Sequence, residues 1–102
     1  MVIILIRIDV RPEKRKELSQ TLLSIVEQVK KEKGCLRAGF YQNFENEKDY
    51  LVVSEWVSQK ESDDYLRSDI FTVLRGAGSL MRRTPEIVSH TVSQSTALEA
   101  LM

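Results

Sequence analysis

The sequence is poor in the residues that cross-link secreted domains or hold metals. Among 102 residues it has one cysteine, Cys35, and one histidine, His90. A single cysteine excludes an intramolecular disulfide and gives no sign of an oxidising compartment. A lone histidine without a neighbouring ligand cluster is a poor zinc or iron site, since these metals need several protein ligands. We therefore expect no metal site, and we expect a cytoplasmic protein.

The chain also lacks a charge imbalance and a long apolar run. Fifteen basic residues offset fifteen acidic ones, so the formal net charge is zero. A balanced charge leaves no electrostatic footprint for nucleic acid or an anionic membrane, and it does not oppose self-association. The apolar opening run, residues 1–10, is too short to span a bilayer and lacks the basic lead and cleavage site of a signal peptide. We predict neither a nucleic-acid partner nor a membrane partner.

Motifs for common catalytic and cofactor sites are missing as well. We find no nucleophile elbow, no phosphate-binding glycine loop, no dinucleotide fingerprint and no metal motif. Cys35 follows Gly34 at the entry to an apolar strand. No activating base is close to it in sequence, so a small buried thiol is the favoured interpretation over a nucleophile. We predict that the protein uses no cofactor.

The residues that are present predict one domain over residues 1–102, of the α+β class. Apolar residues make up 42% and charged residues 29% of the chain, which is ordinary for a folded domain. Hydrophobic periodicity predicts strands at residues 2–10, 36–45, 50–57 and 86–95, helices between 12 and 34 and from 58 onwards, and a helix-prone tail at 97–102. This β-α-β-β-α-β order is the ferredoxin-like arrangement, with a four-stranded antiparallel sheet and its helices on one face.

The first strand predicts a partner subunit. One of its faces is wholly apolar and the other, with Ile3, Leu5, Arg7 and Asp9, is apolar at one end. A strand that is apolar on both faces needs cover on both, and one small domain supplies helices for only one. We predict a symmetric homodimer in which sheet faces sheet.

Local signals mark where the helices begin and end. Gly34 is expected to end the first helix in a left-handed conformation. Ser58 and Glu61 fit a capping box, in which the Ser58 hydroxyl accepts the Glu61 N–H. Ser68 with Asp69 offers a second helix start. Two glycines further on, Gly76 and Gly78, are expected to weaken or bend that helix, or to let another backbone or a ligand approach.

With these elements in order, the chain resembles the antibiotic biosynthesis monooxygenase domain family of the dimeric α+β barrel superfamily, over about residues 2–95. The matching residues are Val10 and Pro12 after the first strand, Gly34, Cys35 and Leu36 at the second, Glu55, Trp56 and Ser58 around the end of the third, residues 65–71, and Pro85 before the last. The resemblance implies a homodimer with a pocket in each subunit between sheet and helices. It leaves the reaction open, because one scaffold hosts several chemistries.

Two subfamilies differ from this chain at their functional positions. The haem-degrading members use an Asn on the first strand, where this chain has Arg7 and Ile8, a Trp at Tyr65, and a His at or near Arg75. Without that His there is no evident axial ligand for haem iron, so haem degradation is rejected.

The cofactor-free oxygenases acting on polyketide phenols use an Asn, a Trp and a Tyr around the third strand and the following helix. Trp56 matches their Trp, whereas Val52 and Ser62 stand near the other two positions. Many family members also carry His where Tyr65 stands.

Six residues are candidates for a site. Trp56 and Phe71 would wall a flat ligand, although core packing is the favoured role for Trp56. Tyr65 and His90 are the candidate proton-transfer groups, each with a structural role as the commoner alternative. Arg7 would hold an anionic ligand oxygen or pair with Glu55 or Asp9 in the sheet or dimer interface, and Arg75 would reach the pocket mouth or face solvent.

Three functions remain open. The first is a cofactor-independent monooxygenase acting on a small aromatic or quinol-like substrate, in which the protein excludes water and favours the deprotonated phenol. The second is a non-catalytic small-molecule-binding dimer, which the missing subfamily residues favour. The third is a non-redox isomerase or lyase on a small metabolite. A dry aromatic pocket would favour the first, and a pocket lined by Arg7 and His90 would favour the third.

Overall fold

The computed structural model describes residues 1–98 and confirms the predicted ferredoxin-like order. A four-stranded antiparallel sheet carries three α-helices on one face. The strands are β1 (Val2–Asp9), β2 (Cys35–Gln42), β3 (Asp49–Trp56) and β4 (Glu86–Thr91), and the helices are α1 (Arg15–Val29), α2 (Gln59–Leu66) and α3 (Asp69–Gly76). Short 3₁₀ helices at Pro12–Lys14 and Ala77–Leu80 precede α1 and follow α3.

The sheet has the strand order β2-β3-β1-β4, so β1 lies between β3 and β4. The predicted β2–β3 hairpin is confirmed, with Phe40 opposite Val52. On β1, Ile3 faces Glu55 on one side and His90 on the other. Because side chains alternate along a strand, this register decides which residues share a face of the sheet.

The covered face of the sheet is defined by the β1 and β3 side chains that lie under the helices. They are Val2, Ile4, Ile6, Ile8, Tyr50, Val52, Ser54 and Trp56, and all of them are buried. From the other side α1 contributes its apolar stripe of Leu18, Leu22, Ile25, Val26 and Val29. This layer is the hydrophobic core of the domain.

The open face of the sheet has no helix of residues 1–98 over it. It is defined by the alternate residues of the strands, among them Ile3, Leu5, Arg7, Leu51, Val53, Glu55, Val88 and His90. Its aliphatic side chains are only half-buried. The predicted bare face is therefore present in the single chain.

The start of α2 differs from the predicted capping box. The Ser58 hydroxyl makes no bond to a backbone N–H and instead donates to the Glu61 carboxylate, which lowers the pKa of Glu61. Hydrogen bonds to a charged carboxylate are stronger than those between neutral groups. The Ser58 hydroxyl therefore donates to the Glu61 carboxylate instead of accepting the Glu61 N–H. The predicted cap at α3 is confirmed, since the Phe71 N–H donates to Ser68 Oγ at 3.3 Å.

Gly34 lies in the predicted left-handed conformation, with φ of 84°. The helix itself ends earlier, at Val29, and turns at residues 30–33 lead to the glycine. A Cβ on Gly34 would lie 2.2 Å from Glu61 Cγ. The glycine therefore meets two demands at once, a backbone conformation that other residues rarely adopt and close packing against α2.

Element ends account for most of the remaining differences. As expected, α3 stops being α-helical at Gly76 and continues as a 3₁₀ turn, but a Cβ at Gly76 or Gly78 would meet nothing within 4 Å, so neither glycine serves a close approach within the described chain. The fourth strand was predicted to reach residue 95 and ends at Thr91, which pairs with Val2, the first residue of its neighbour β1. In the predicted helix-prone tail, residues 97 and 98 have no regular structure and residues 99–102 lie outside the described residues.

Candidate functional site

Three aromatic side chains fill the space between the covered face and helices α2 and α3. Trp56 and Tyr65 stack with ring centroids 4.8 Å apart, and Phe71 meets Tyr65 edge-on at 5.7 Å. Trp56 is 0% exposed and the other two are 2% exposed, while the Trp56 indole N–H donates to Ser54 Oγ at 2.8 Å. In this chain the aromatic cluster of Trp56, Tyr65 and Phe71 is packed core and leaves no room among its rings for a ligand.

The Tyr65 hydroxyl is the one buried side-chain polar atom without a hydrogen-bond partner within residues 1–98. Burial raises the pKa of Tyr65 to about 12. The phenol is therefore protonated at neutral pH, so in this state it is a hydrogen-bond donor and not a base.

An open cleft lies beside the aromatic cluster, between α3 and the start of β4. Its volume is about 540 Å³. The lining residues, which define the α3–β4 cleft, are Leu74 and Arg75 on α3, Gly78 and Met81 after it, and Arg82, Arg83, Thr84, Pro85 and Ile87 on the opposite wall. The cleft therefore combines apolar walls with arginine side chains.

The floor of the cleft is held by the end of β1. The Arg11 N–H donates to the Leu80 carbonyl at 3.0 Å, and the Arg82 N–H donates to the Asp9 carbonyl at 2.8 Å. The Arg11 side chain adds a bond from Nε to the Met81 carbonyl at 3.1 Å. These long-range bonds fix the backbone of residues 80–82 against the sheet, so the cleft is preformed in the folded chain.

The arginines of the cleft differ in their partners. Arg83 Nη2 lies 3.0 Å from Asp9 Oδ2, and Arg82 Nη1 lies 3.8 Å from Asp9 Oδ1. The Arg75 guanidinium carbon lies 5.1 Å from the centroid of the Phe71 ring, in cation–π geometry. Within residues 1–98 no acidic residue lines the cleft itself. The site is therefore cationic although the whole chain is neutral.

A second, polar cavity of about 260 Å³ adjoins the cleft and shares Arg83 and Thr84 with it. Its remaining lining residues are Arg7, Ile8, Asp9, Asn46, Lys48, Asp49 and Glu86. Both signs of charge are present, and Arg7 Nη1 lies 3.6 Å from Asp49 Oδ2. Ion pairs around this cavity, such as that between Arg7 on β1 and Asp49 on β3, connect the strands at this end of the sheet.

The structure separates the six predicted site residues into two groups. Trp56, Tyr65, Phe71 and Arg75 lie together on the helix side of the sheet. Arg7 and His90 lie on the open face, since Arg7 pairs in register with Leu51 and Glu86, and His90 with Ile3. Within one chain the two groups do not form one site. The pairing expected of Arg7 with Glu55 or Asp9 is replaced by the one with Asp49.

Sequence reasoning missed most of the cleft. No sequence motif singles out Met81, Arg82, Arg83 or Ile87 as site residues. The available signal was the pair of arginines just before Thr84 and Pro85, between a helix and a strand. That pattern alone does not reveal that an open space lies between these residues and α3.

Residues 1–98 contain neither a cluster of metal-ligating side chains nor a membrane-spanning helix. No three His, Cys, Asp or Glu side chains there lie close enough together to hold a metal ion. No helix in that part of the chain has the length and apolar character needed to cross a membrane.

Comparison with known proteins gives a family match and many structural matches. Residues 1–76 match the family model described as antibiotic biosynthesis monooxygenase. No functionally curated protein matches the sequence. The matched range includes the aromatic cluster and Arg75 and ends before the wall of the cleft formed by residues 82–87.

Among solved structures, a conserved protein from Methanosarcina mazei is 28% identical, with a TM-score of 0.82 over 87% of this chain and 89% of its own. A protein from Deinococcus radiodurans, proposed to be an antibiotic biosynthesis monooxygenase, is 17% identical, with a TM-score of 0.89 over 98% and 100% of the two chains. A protein from Mycobacterium tuberculosis is 18% identical, with a TM-score of 0.84 over 94% and 98%. The last two likenesses concern the fold alone.

Proposed function

Because the chain belongs to the antibiotic biosynthesis monooxygenase family, we propose that it is a cofactor-independent monooxygenase acting on a small aromatic or quinol-like substrate. The observation that carries the proposal is the α3–β4 cleft, where apolar walls meet arginine side chains. Family membership supports the class of reaction, and the cleft supports the class of molecule.

The cleft suits a ring-shaped substrate. Its volume of about 540 Å³ falls in the usual range for small-molecule sites, which is roughly 300–1,000 Å³. Leu74, Met81, Pro85 and Ile87 supply apolar surface. A flat, poorly hydrated ring would bury apolar area there, and the arginines would bind its oxygen substituents.

The reaction balances without an external reductant. A hydroquinone and dioxygen give a hydroxyquinone and water: one oxygen atom replaces a ring hydrogen as a hydroxyl, and the other leaves as water. The substrate supplies all four electrons. A phenolate gives up an electron more readily than a phenol, and nearby cations lower the pKa of a bound phenol. The arginines on both walls of the cleft would act in this way.

We further propose that the protein is a homodimer formed through the open face. The half-buried aliphatic residues of that face, Ile3, Leu5, Leu51, Val53 and Val88, support this arrangement. Arg7 and His90 would then lie in or beside the subunit interface rather than in the cleft. In the aromatic cluster, Trp56 and Tyr65 would support α3 and hold the Phe71 ring in place beneath Arg75. A cytoplasmic location remains a prediction from the single cysteine.

A non-catalytic binding dimer is the second candidate, and one observation favours it. In the part of the chain that the structure describes, the titratable side chains that line the cleft are all arginines, so those residues supply no general base that works near neutral pH. Neither Arg7 nor His90 lines it, so the structure gives no support to the isomerase or lyase alternative.

Oxygen consumption by the purified protein, offered a panel of hydroquinones and anthrones, tests the proposal. Ile87→Glu places an anion on the cleft wall at a side chain that is 44% exposed, so the fold should persist. We expect this variant to lower turnover at least tenfold. Ser89→Glu, which alters an exposed residue of the same strand outside the cleft lining, is the control and should leave turnover unchanged.

If no compound is turned over above the buffer rate, catalysis is ruled out for this substrate class. Calorimetric binding of the same panel would then identify the second candidate, provided that Ile87→Glu abolishes binding and Ser89→Glu does not.

A further inference from the structure

The arginines of the described chain are almost all engaged by other protein groups. Six of them lie within 3.9 Å of a carboxylate, namely Arg7, Arg15, Arg37, Arg67, Arg82 and Arg83. Arg11 donates to the Met81 carbonyl. Arg75 differs from these seven, since within residues 1–98 it contacts the Phe71 ring and has no carboxylate partner. Its charge is therefore available to a ligand.

The contact with Phe71 holds the Arg75 guanidinium group without using its hydrogen bonds. The guanidinium carbon lies over the ring, 5.1 Å from the centroid. A cation–π contact involves the face of the group, whereas its N–H groups point outward in its own plane. Phe71 is itself fixed in the aromatic cluster, at 2% exposure. Arg75 is therefore a positioned donor at the edge of the cleft, suited to bidentate binding of a planar anion.

The charge balance of the cleft points the same way. Among the described residues of the chain, Arg75, Arg82 and Arg83 line it with no acidic residue, and Asp9 is shared by Arg82 and Arg83 from the neighbouring cavity. The Asp9 carboxylate thus faces two guanidinium groups, and the third, that of Arg75, has no carboxylate partner in the described chain. A neutral hydroquinone would leave this excess charge uncompensated, whereas a ligand with a fixed anion would compensate it.

We infer that the molecule bound in the α3–β4 cleft is an aromatic acid, a ring that carries a permanent carboxylate, and that Arg75 binds the carboxylate. The inference rests on the proposed function for the aromatic ring and its oxidation. It adds the anionic substituent, and binding alone tests that addition.

The test compares 2-naphthoate with its neutral counterpart 2-naphthamide by isothermal titration calorimetry on the full chain. We expect the wild type to bind 2-naphthoate at least tenfold more tightly. Arg75→Gln should remove most of the difference in affinity between the acid and the amide, with little change for the amide. Arg75→Lys should give an intermediate affinity for the acid, because it keeps the positive charge and loses the paired N–H donors of the guanidinium group. Arg67→Gln, which alters an exposed arginine on the neighbouring segment, is the control and should behave as the wild type.

Equal binding of the acid and the amide, or no binding of either, would overturn the inference. So would an equal loss of affinity in Arg67→Gln, which would show only a general effect of surface charge. Octanoate provides a third arm: binding as tight as that of 2-naphthoate would overturn the aromatic part.

The two proposals fail separately. Acid-selective binding that depends on Arg75, with no oxygen consumption by hydroxynaphthoates, would sustain the inference and defeat the oxygenase. Turnover of neutral hydroquinones with no preference for acids would sustain the oxygenase and defeat the inference.

Discussion

The two faces of the sheet carry similar strand residues in very different surroundings. On β1, Ile4, Ile6 and Ile8 of the covered face are 0% exposed, whereas Ile3 and Leu5 of the open face are only half-buried. The difference arises because both helical connections cross on the same side of the sheet, as right-handed crossovers require. An apolar residue therefore indicates a need for cover, and the topology decides whether its own chain can supply it.

The same division separates the candidate site residues. The helix side holds the closed aromatic cluster and the open cleft next to it, and the open face holds Arg7 and His90. Residues that look equally suited to chemistry in the sequence thus face different surroundings. Four substitutions test this contrast.

The largest effect is expected for Trp56→Ala on the covered face. It removes a fully buried ring that stacks on Tyr65, and such a truncation costs about 3–5 kcal/mol through lost burial and a residual cavity. Urea unfolding followed by circular dichroism measures the free energy of unfolding. Val57→Ala, at the exposed neighbour, should change it by less than about 0.5 kcal/mol. A loss below about 1 kcal/mol at Trp56 would show that the cluster is not packed core.

Leu5→Asp on the open face should break the proposed dimer. A charge buried in the subunit interface without a partner costs about 3 kcal/mol or more, which raises the dissociation constant on the order of 100-fold. Sedimentation equilibrium gives that constant. Leu23→Asp, at an exposed leucine of α1, should leave it unchanged. Should Leu5→Asp remain dimeric at low concentration, the open face is not the interface.

Gly34→Ala tests the close packing of Gly34 against α2, one of the helices over the covered face. The left-handed backbone and the 2.2 Å approach to Glu61 Cγ should together cost about 2 kcal/mol or more in unfolding free energy. Gly76→Ala is the matched control, since its Cβ would meet nothing within 4 Å and its backbone is helical. That change should stabilise the protein by up to about 1 kcal/mol in the same urea titration. Equal effects at the two positions would contradict the assigned role of Gly34.

The smallest effect is expected for Tyr65→Phe, which removes a buried hydroxyl without a partner in the described chain. We expect a gain of about 1 kcal/mol at pH 7, because the desolvation cost of that hydroxyl disappears.

The same variant should also alter the alkaline limb of stability. The pKa of Tyr65 is about 12 in the folded protein and about 10 in an unfolded chain. As the pH rises, the unfolded state loses the proton first, so the phenol destabilises the fold progressively between about pH 10 and 12. Thermal unfolding of Tyr65→Phe should therefore decline less steeply than that of the wild type over this range. Parallel declines would show that the hydroxyl is hydrated or paired in solution.

Much of the architecture follows from local residue patterns. Alternation along β1, the hairpin between β2 and β3, the left-handed Gly34 and the Ser68 cap were all predictable, because each depends on neighbours in sequence or on a periodicity. The hydrogen bond of Ser58 was not predictable, since local geometry decides whether its hydroxyl accepts the Glu61 N–H or donates to the Glu61 carboxylate. The end of β4 was not, because it depends on where its partner strand begins.

For the site, the sequence by itself determined that Trp56 is a buried aromatic, that Arg75 follows an apolar helix position, and that one sheet face needs a cover its own helices do not provide. Only the tertiary structure decided that the rings close on each other and that an arginine-lined cleft opens between α3 and residues 82–87. The physical reason is that burial is a property of each residue and its periodicity, whereas a cavity is the space left between elements distant in sequence, which depends on how those elements pack.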